Sequence, residues 1–395
     1  MTEQRKLKKL VRERSARTGE SYTTARRRVA PTDAPTIPEW IVPGYPGFGT
    51  RAHHDSALLA HLLTQAGVTA PDTAKPYSEA MLTGMAGGIG FLYSVFEYAG
   101  HAPMLTIVAQ HHPQPWLPTA LDNLGLPYRE RRATSQAKAL AELRDVVNSR
   151  AVYCTVDRTR LAWHAGCSGL HTDPYGVVVV GAGPELVWLD DDSPAPRELS
   201  LDTFASAWSG YAKGRHHSLV IGDAADVPVD LTASIEAAVR LTVAHLTGPV
   251  LGNSFDANFG FTGMVRLATQ LRDERTKTGW ARRFGTAETF ALAMRRLEEC
   301  LEREYTAAGA TRPIYAEFLD EAAALLDPSG ADALRTAAEL FRESGVVWSR
   351  MASTAASHGA LTDGEAQRAA FAGLADLVDE ARISEERAAA ALAIV

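Results

Sequence analysis

The spacing of apolar positions changes along the chain, and each spacing predicts a different element. Between His53 and Gly67, Leu58, Leu59, Leu62 and Leu63 recur at helical intervals, and Gly67 stops the run. Residues 77–85 read as a second helix with Ser78 as its cap. The turn Gly84-Met85-Ala86-Gly87-Gly88-Ile89-Gly90 follows, and then an apolar run from Phe91 to Tyr98. From 104 to 222 the pattern alternates. Strands are predicted at 104–109, 151–156, 177–180, 186–189 and 218–221, and helices at 116–124, 135–148 and 200–208. The turn Gly181-Ala182-Gly183-Pro184 makes 177–180 and 186–189 a hairpin. Beyond 231 strand patterns stop. Alanine- and leucine-rich helices are predicted at 231–246, 258–272, 286–307, 313–326, 330–356 and 362–393. Helices followed by a mostly antiparallel sheet predict an α+β domain over 50–225, and the remainder predicts an all-α domain over 226–395.

Two segments precede these domains. Residues 1–29 predict a basic helical arm of two short helices broken at Thr18-Gly19-Glu20-Ser21. Residues 30–49 hold Pro31, Pro35, Pro38, Pro43 and Pro46, so they form a proline-rich lead-in. Charge separates the arm from the body. Residues 1–29 carry ten Lys/Arg against three Asp/Glu, a surplus of seven, in a chain of net charge −7, which leaves the body at −14. An arm with a single aromatic does not read as a nucleic-acid binder, but it suits an acidic partner. No apolar run approaches a membrane span, so no membrane partner is expected. The N-terminus lacks the apolar core of a secretion signal, so none is expected. Three cysteines without a CxxC spacing predict neither a disulfide framework nor a zinc site, and imply a cytoplasmic location.

The candidate chemistry lies in a few clusters. His53 and His54 are adjacent at a helix start and project about 100° apart, so at most one enters a cleft: either one acts as a general base, or one caps or packs locally and the other is solvated. Asp190, Asp191 and Asp192 end a strand. They serve either as a turn or as a carboxylate that orients a base, with neighbours that attract a cationic amine. Gly87 and Gly88 offer a close backbone approach to a substrate, or simply a tight helix–strand junction. No Lys-Ser/Thr follows, which disfavours a nucleotide loop. Cys154 alternates into a strand core, whereas Cys167 lies in a loop before His171, where a relocated Cys–His pair is an alternative. The pairs His111-His112 and His216-His217 read as surface residues; without carboxylate spacing they predict no metal.

One ordered set of motifs is specific when taken together. It comprises His53-His54-Asp55-Ser56-Ala57-Leu58-Leu59; the run from Pro76-Tyr77-Ser78-Glu79 to Gly90-Phe91; Val177 to Gly181; Val187-Trp188-Leu189-Asp190-Asp191; and, in the helical half, Asn258 to Gly263, Lys277-Thr278-Gly279-Trp280 and Arg312-Pro313-Ile314-Tyr315. This set resembles the butirosin H family across residues 45–390. The resemblance implies a papain-like, cysteine-peptidase-related N-terminal domain. It also implies an acyltransferase of natural-product biosynthesis, which moves an aminoacyl group from an acyl carrier protein to an amine acceptor.

The family pattern places a cysteine at the first helix, a histidine on a later strand and an aspartate at the end of the next. Here His54 stands at the cysteine position and Tyr175 at the strand histidine, while Asp190 or Asp191 keeps the carboxylate. The expected catalytic set is therefore His53, His54, Tyr175 and Asp190. The expected substrate contacts are Glu79, Gly87, Gly88 and Asp191. No cofactor is expected beyond the phosphopantetheine arm of a carrier as substrate. Two functions stay open. One is an acyltransferase in which the amine attacks the thioester directly, without a cysteine nucleophile. The other is a non-catalytic binding or scaffold protein with the same fold. The sequence does not specify an oligomeric state.

Overall fold

The computed structural model describes Arg12 and residues 41–49, 52–164 and 172–395. The two predicted helices of the arm, most of the lead-in, Cys167 and His171 lie outside the described residues. In chain order the elements of the first half are α1 (His54–Gln65), α2 (Glu79–Met85), β1 (Ile89–Phe96), β2 (Met104–Gln110), α3 (Trp116–Asn123), β3 (Tyr128–Arg131), α4 (Gln136–Val147), β4 (Val152–Asp157), β5 (Pro174–Ala182), β6 (Leu186–Asp190), β7 (Arg197–Ser200), α5 (Leu201–Gly210) and β8 (Ser218–Ile221). The second half holds α6 (Leu231–Thr247), α7 (Gly260–Arg272), α8 (Trp280–Arg283), α9 (Ala287–Glu302), α10 (Arg312–Ala323), α11 (Pro328–His358) and α12 (Gly364–Leu392). A sheet region followed by helices agrees with the α+β expectation.

Contacts divide the described residues into two compact units. Residues 41–79 and 124–229 form a sheet unit, and 80–123 with 230–395 form a helical unit. This grouping departs from a single cut at 225/226, and hydrophobic burial explains it. The inner face of the β1–β2 hairpin, with Phe91, Tyr93, Leu105 and Ile107, belongs to one core with Trp280, Phe290, Trp348 and Phe371 of the helices. A two-stranded hairpin cannot bury an apolar face by itself, and it gains stability only against another layer.

In the sheet unit six antiparallel strands run in the order β3-β8-β4-β5-β6-β7. Val177 and Val179 of β5 pack with Cys154, Val156, Leu143 of α4 and Trp208 of α5. Val178 and Val180 point the other way and are equally buried, so both faces of the sheet are covered. Cys154 is thus the core cysteine that its alternation predicted. The strands that the periodicity missed, β3 and β7, are the two edges. Their sequences Tyr-Arg-Glu-Arg and Arg-Glu-Leu-Ser are polar, as edge strands facing water tend to be. Part of the lead-in is not a free linker. Ile41, Val42 and Tyr45 are buried, and the Val42 N–H donates to Val180 O at 2.7 Å.

In the helical unit α10, α11 and α12 converge on a buried ion pair. Arg312 and Glu385 are both fully buried and meet through two bonds of 2.8 Å. The other partners are fixed too. Arg312 donates to the carbonyls of Ala109 and Ala310, and Glu385 accepts from Ser344 and Trp348. Every polar atom has a counterpart, which is the condition for burying such charges.

Candidate functional site

The start of α1 organises the sheet unit's polar cluster. His53 is the N-cap: its extended backbone leaves the helix, and its ring Nδ1 accepts from the Ser56 N–H. Its own backbone N–H donates to the carboxylate of Glu79. The cap role was one of the two readings for the histidine pair, and it leaves the side chain of His53 buried. Glu79, expected as a substrate contact, instead holds the helix entry.

His54, at the first helical position, faces β5. Its Nε2 lies 2.8 Å from Gly176 O and its Nδ1 lies 3.3 Å from the Tyr175 hydroxyl. A carbonyl only accepts, so Nε2 carries the proton. In the neutral ring Nδ1 then accepts from the Tyr175 O–H. The two rings stack with centroids 4.4 Å apart. Burial raises the Tyr175 pKa well above the usual phenol value, and Asp191, Asp192 and Asp55 add to it, so the residue stays a hydroxyl.

Two further groups border Tyr175. His164 packs edge-on at 4.6 Å. Its pKa is pushed down to about 4 by burial and by Arg158, against the pull of Asp191. Asp191 is buried and meets Arg197 at 3.4 Å through one oxygen. Its other oxygen, Oδ1, has no partner among the described residues, and neither does His164 Nε2. Arg158 is held apart by Asp173 at 2.5 Å. A neutral imidazole thus packs against Tyr175, whose hydroxyl can accept while donating, and the charge of Asp191, with its unpaired oxygen, acts on both.

Asp190 sits elsewhere than expected. It is fully buried and accepts from Tyr45 at 2.5 Å, from His61 Nδ1 at 2.6 Å and from the Asp192 N–H at 2.9 Å. It fastens α1 to the end of β6 rather than orienting His54. His61 and His164 went unnoticed in the sequence. His61 had a signal: it lies seven residues, two turns, after His54, a polar side chain inside an apolar helix. His164 had none, because it lies in an irregular stretch.

Gly87 and Gly88 belong to the helical unit and serve packing. Both have positive φ, and a Cβ would stand 2.5 Å from His111 Nδ1 at Gly87 and 2.3 Å from the Tyr315 ring at Gly88. The pairs expected at the surface are mostly buried: His111 at 2% exposure, His216 at 3% and His217 at 7%. Among the described residues no group of three or more His, Cys, Asp and Glu side chains is arranged to hold a metal. No helix there is long and apolar enough to cross a membrane. A groove lined by Leu62, Gln65, Arg150 and Asp223 contains none of the expected site residues.

Comparison with known proteins gives two matches. Residues 53–192 match the family described as Butirosin biosynthesis protein H, N-terminal. Residues 203–392 match a separate one described as Domain of unknown function (DUF4872). No curated protein matches the chain.

Proposed function

Because the chain belongs to the butirosin biosynthesis protein H-like family, we propose that it transfers an acyl or aminoacyl group from a carrier-protein thioester to an amine, without a cysteine nucleophile. The family supplies the biosynthetic acyltransferase setting. In this reading the sheet unit is a papain-like domain, and the phosphopantetheine arm of the carrier delivers the thioester.

The observation that carries the proposal is the cluster at Tyr175. The unpaired Asp191 Oδ1 and His164 Nε2 bind the acceptor amine, and the surrounding carboxylates draw it in as an ammonium, which gives up one proton to solvent to leave the neutral nucleophile. As the amine nitrogen attacks the thioester carbon, its proton passes to the Tyr175 oxygen, and the Tyr175 proton passes to His54 Nδ1. The C–S bond then breaks and the thiolate takes the proton back along the same path. The thioester is already activated, so a base is all the protein has to add. Gly176 O, accepting from Nε2, steadies the imidazolium that forms.

The test follows acyl transfer by intact mass from a panel of loaded carriers to amine acceptors. Transfer that is lost in His54→Ala and Asp191→Asn supports the relay. Amine binding that persists in both variants, with no transfer by the wild-type chain, favours the binding-protein reading instead.

A further inference from the structure

Three neighbouring side chains in the sheet unit take no part in the relay. Thr155 lies on β4, His217 just before β8 and Glu130 on the edge strand β3. The register brings them together. Tyr153 pairs with Leu219 and Cys154 with Ser218, so the next rung sets Thr155 against His217. Glu130 also pairs with Leu219, one diagonal step from His217.

The distances are those of a hydroxyl–imidazole–carboxylate set. Thr155 Oγ1 is 2.8 Å from His217 Nδ1, and His217 Nε2 is 2.7 Å from Glu130 Oε1. The carboxylate only accepts, so Nε2 carries the proton and Nδ1 points its lone pair at the Thr155 hydroxyl. Burial lowers the His217 pKa, against the pull of Glu130, and this keeps the ring a neutral base. Thr155 is half-buried, within reach of solvent. Tyr153, kept protonated by burial, hydrogen-bonds to Thr155. It fits there because Gly176 has no side chain: a Cβ at that position would stand 2.5 Å from the Tyr153 hydroxyl.

We propose that Thr155, His217 and Glu130 form a nucleophile, its base and an orienting carboxylate, and that this set takes acyl groups from activated esters and thioesters. Thr155 Oγ1 attacks the carbonyl carbon while its proton moves to His217 Nδ1. The bond to the leaving oxygen or sulfur breaks, and the leaving group departs with that proton. The acyl group remains on Thr155 as an ester until water or an amine displaces it, with His217 passing the proton in the opposite sense.

The full chain is incubated with p-nitrophenyl acetate, and p-nitrophenolate release is followed together with peptide mass mapping. An acetyl group is expected on the peptide carrying Thr155. Thr155→Ser keeps it and Thr155→Val loses it. Removing the base in His217→Gln slows acetylation about 100-fold or more, and Glu130→Gln slows it about tenfold. Acetyl groups on lysines alone in the wild-type chain overturn the proposal, as does a Thr155 adduct that forms equally fast without the base. If His217→Gln does not fold, Glu130→Gln at its partly exposed edge position decides, and an unchanged rate there overturns the proposal. Thr155 acetylation without carrier-dependent transfer supports this set and counts against the relay. Transfer without Thr155 acetylation does the reverse.

Discussion

Tyr175 lies almost parallel to His54, with the ring planes 22° apart and the phenol hydroxyl directed at Nδ1. In the proposed relay the hydroxyl donates to the base and takes the proton of the bound amine. Tyr175→Phe keeps the ring stack and removes that path. Its expected effect is a fall in kcat for transfer of about 100-fold, with KM for the amine changed far less. Steady-state kinetics with a loaded carrier check the split, and an unchanged kcat would remove Tyr175 from the mechanism.

Asp190 and Asp191 are neighbours in sequence with different expected phenotypes. Asp190→Ala strips His61 and Tyr45 of a buried carboxylate partner and should cost about 3–5 kcal/mol of stability. Asp191→Asn leaves the fold intact and weakens amine binding. Urea denaturation of both variants, read beside transfer rates, separates them. Equal stability losses would contradict the two environments.

The buried pair in the helical unit predicts a non-additive result. Glu385→Ala leaves Arg312 charged and unpaired, at a cost of about 3–5 kcal/mol. Replacing both, as Arg312→Met with Glu385→Leu, should be less destabilising than Glu385→Ala alone. Some loss remains because the carbonyls of Ala109 and Ala310 lose their donor. Chemical denaturation of the single and double variants gives the comparison; a double variant as unstable as the single one contradicts it.

His111 predicts a pH dependence. Its pKa is pushed down to about 3 by burial, with His245 and His112 adding to the shift. The unfolded chain protonates this residue near pH 6.5, within the ordinary range for histidine. Between about 3 and 6.5 the unfolded state therefore binds the extra proton, and stability falls as pH drops through that window. The slope from this residue approaches about 1.4 kcal/mol per pH unit, for a total on the order of a few kcal/mol. His111→Leu should flatten it. Unfolding free energies at a series of pH values test this, and identical slopes in both proteins would refute it.

Local signals were enough for most of the elements. Leucine spacing in α1, alternation in β5 and the alanine-rich runs of α11 and α12 each depend on a few neighbouring residues, so their types and approximate limits were legible. The polar edge strands β3 and β7 were not, because their pairing partners lie far along the chain. The same distinction applies to the site. That His53 or His54 would cap the helix, and that the acidic run would end a strand, followed from adjacent residues.

The chain's own order of residues thus determined most of its element types and its α+β character. Tertiary structure alone decided which carboxylate serves which histidine. Asp190 went to His61 and Tyr45, while Asp191 went to Arg197. It also decided that Gly87 and Gly88 make room for aromatic rings, that the β1–β2 hairpin joins the helical core, and that Thr155, His217 and Glu130, each unremarkable in sequence, come into line. Burial and cross-strand register act between residues far apart in the chain, and no local pattern encodes them.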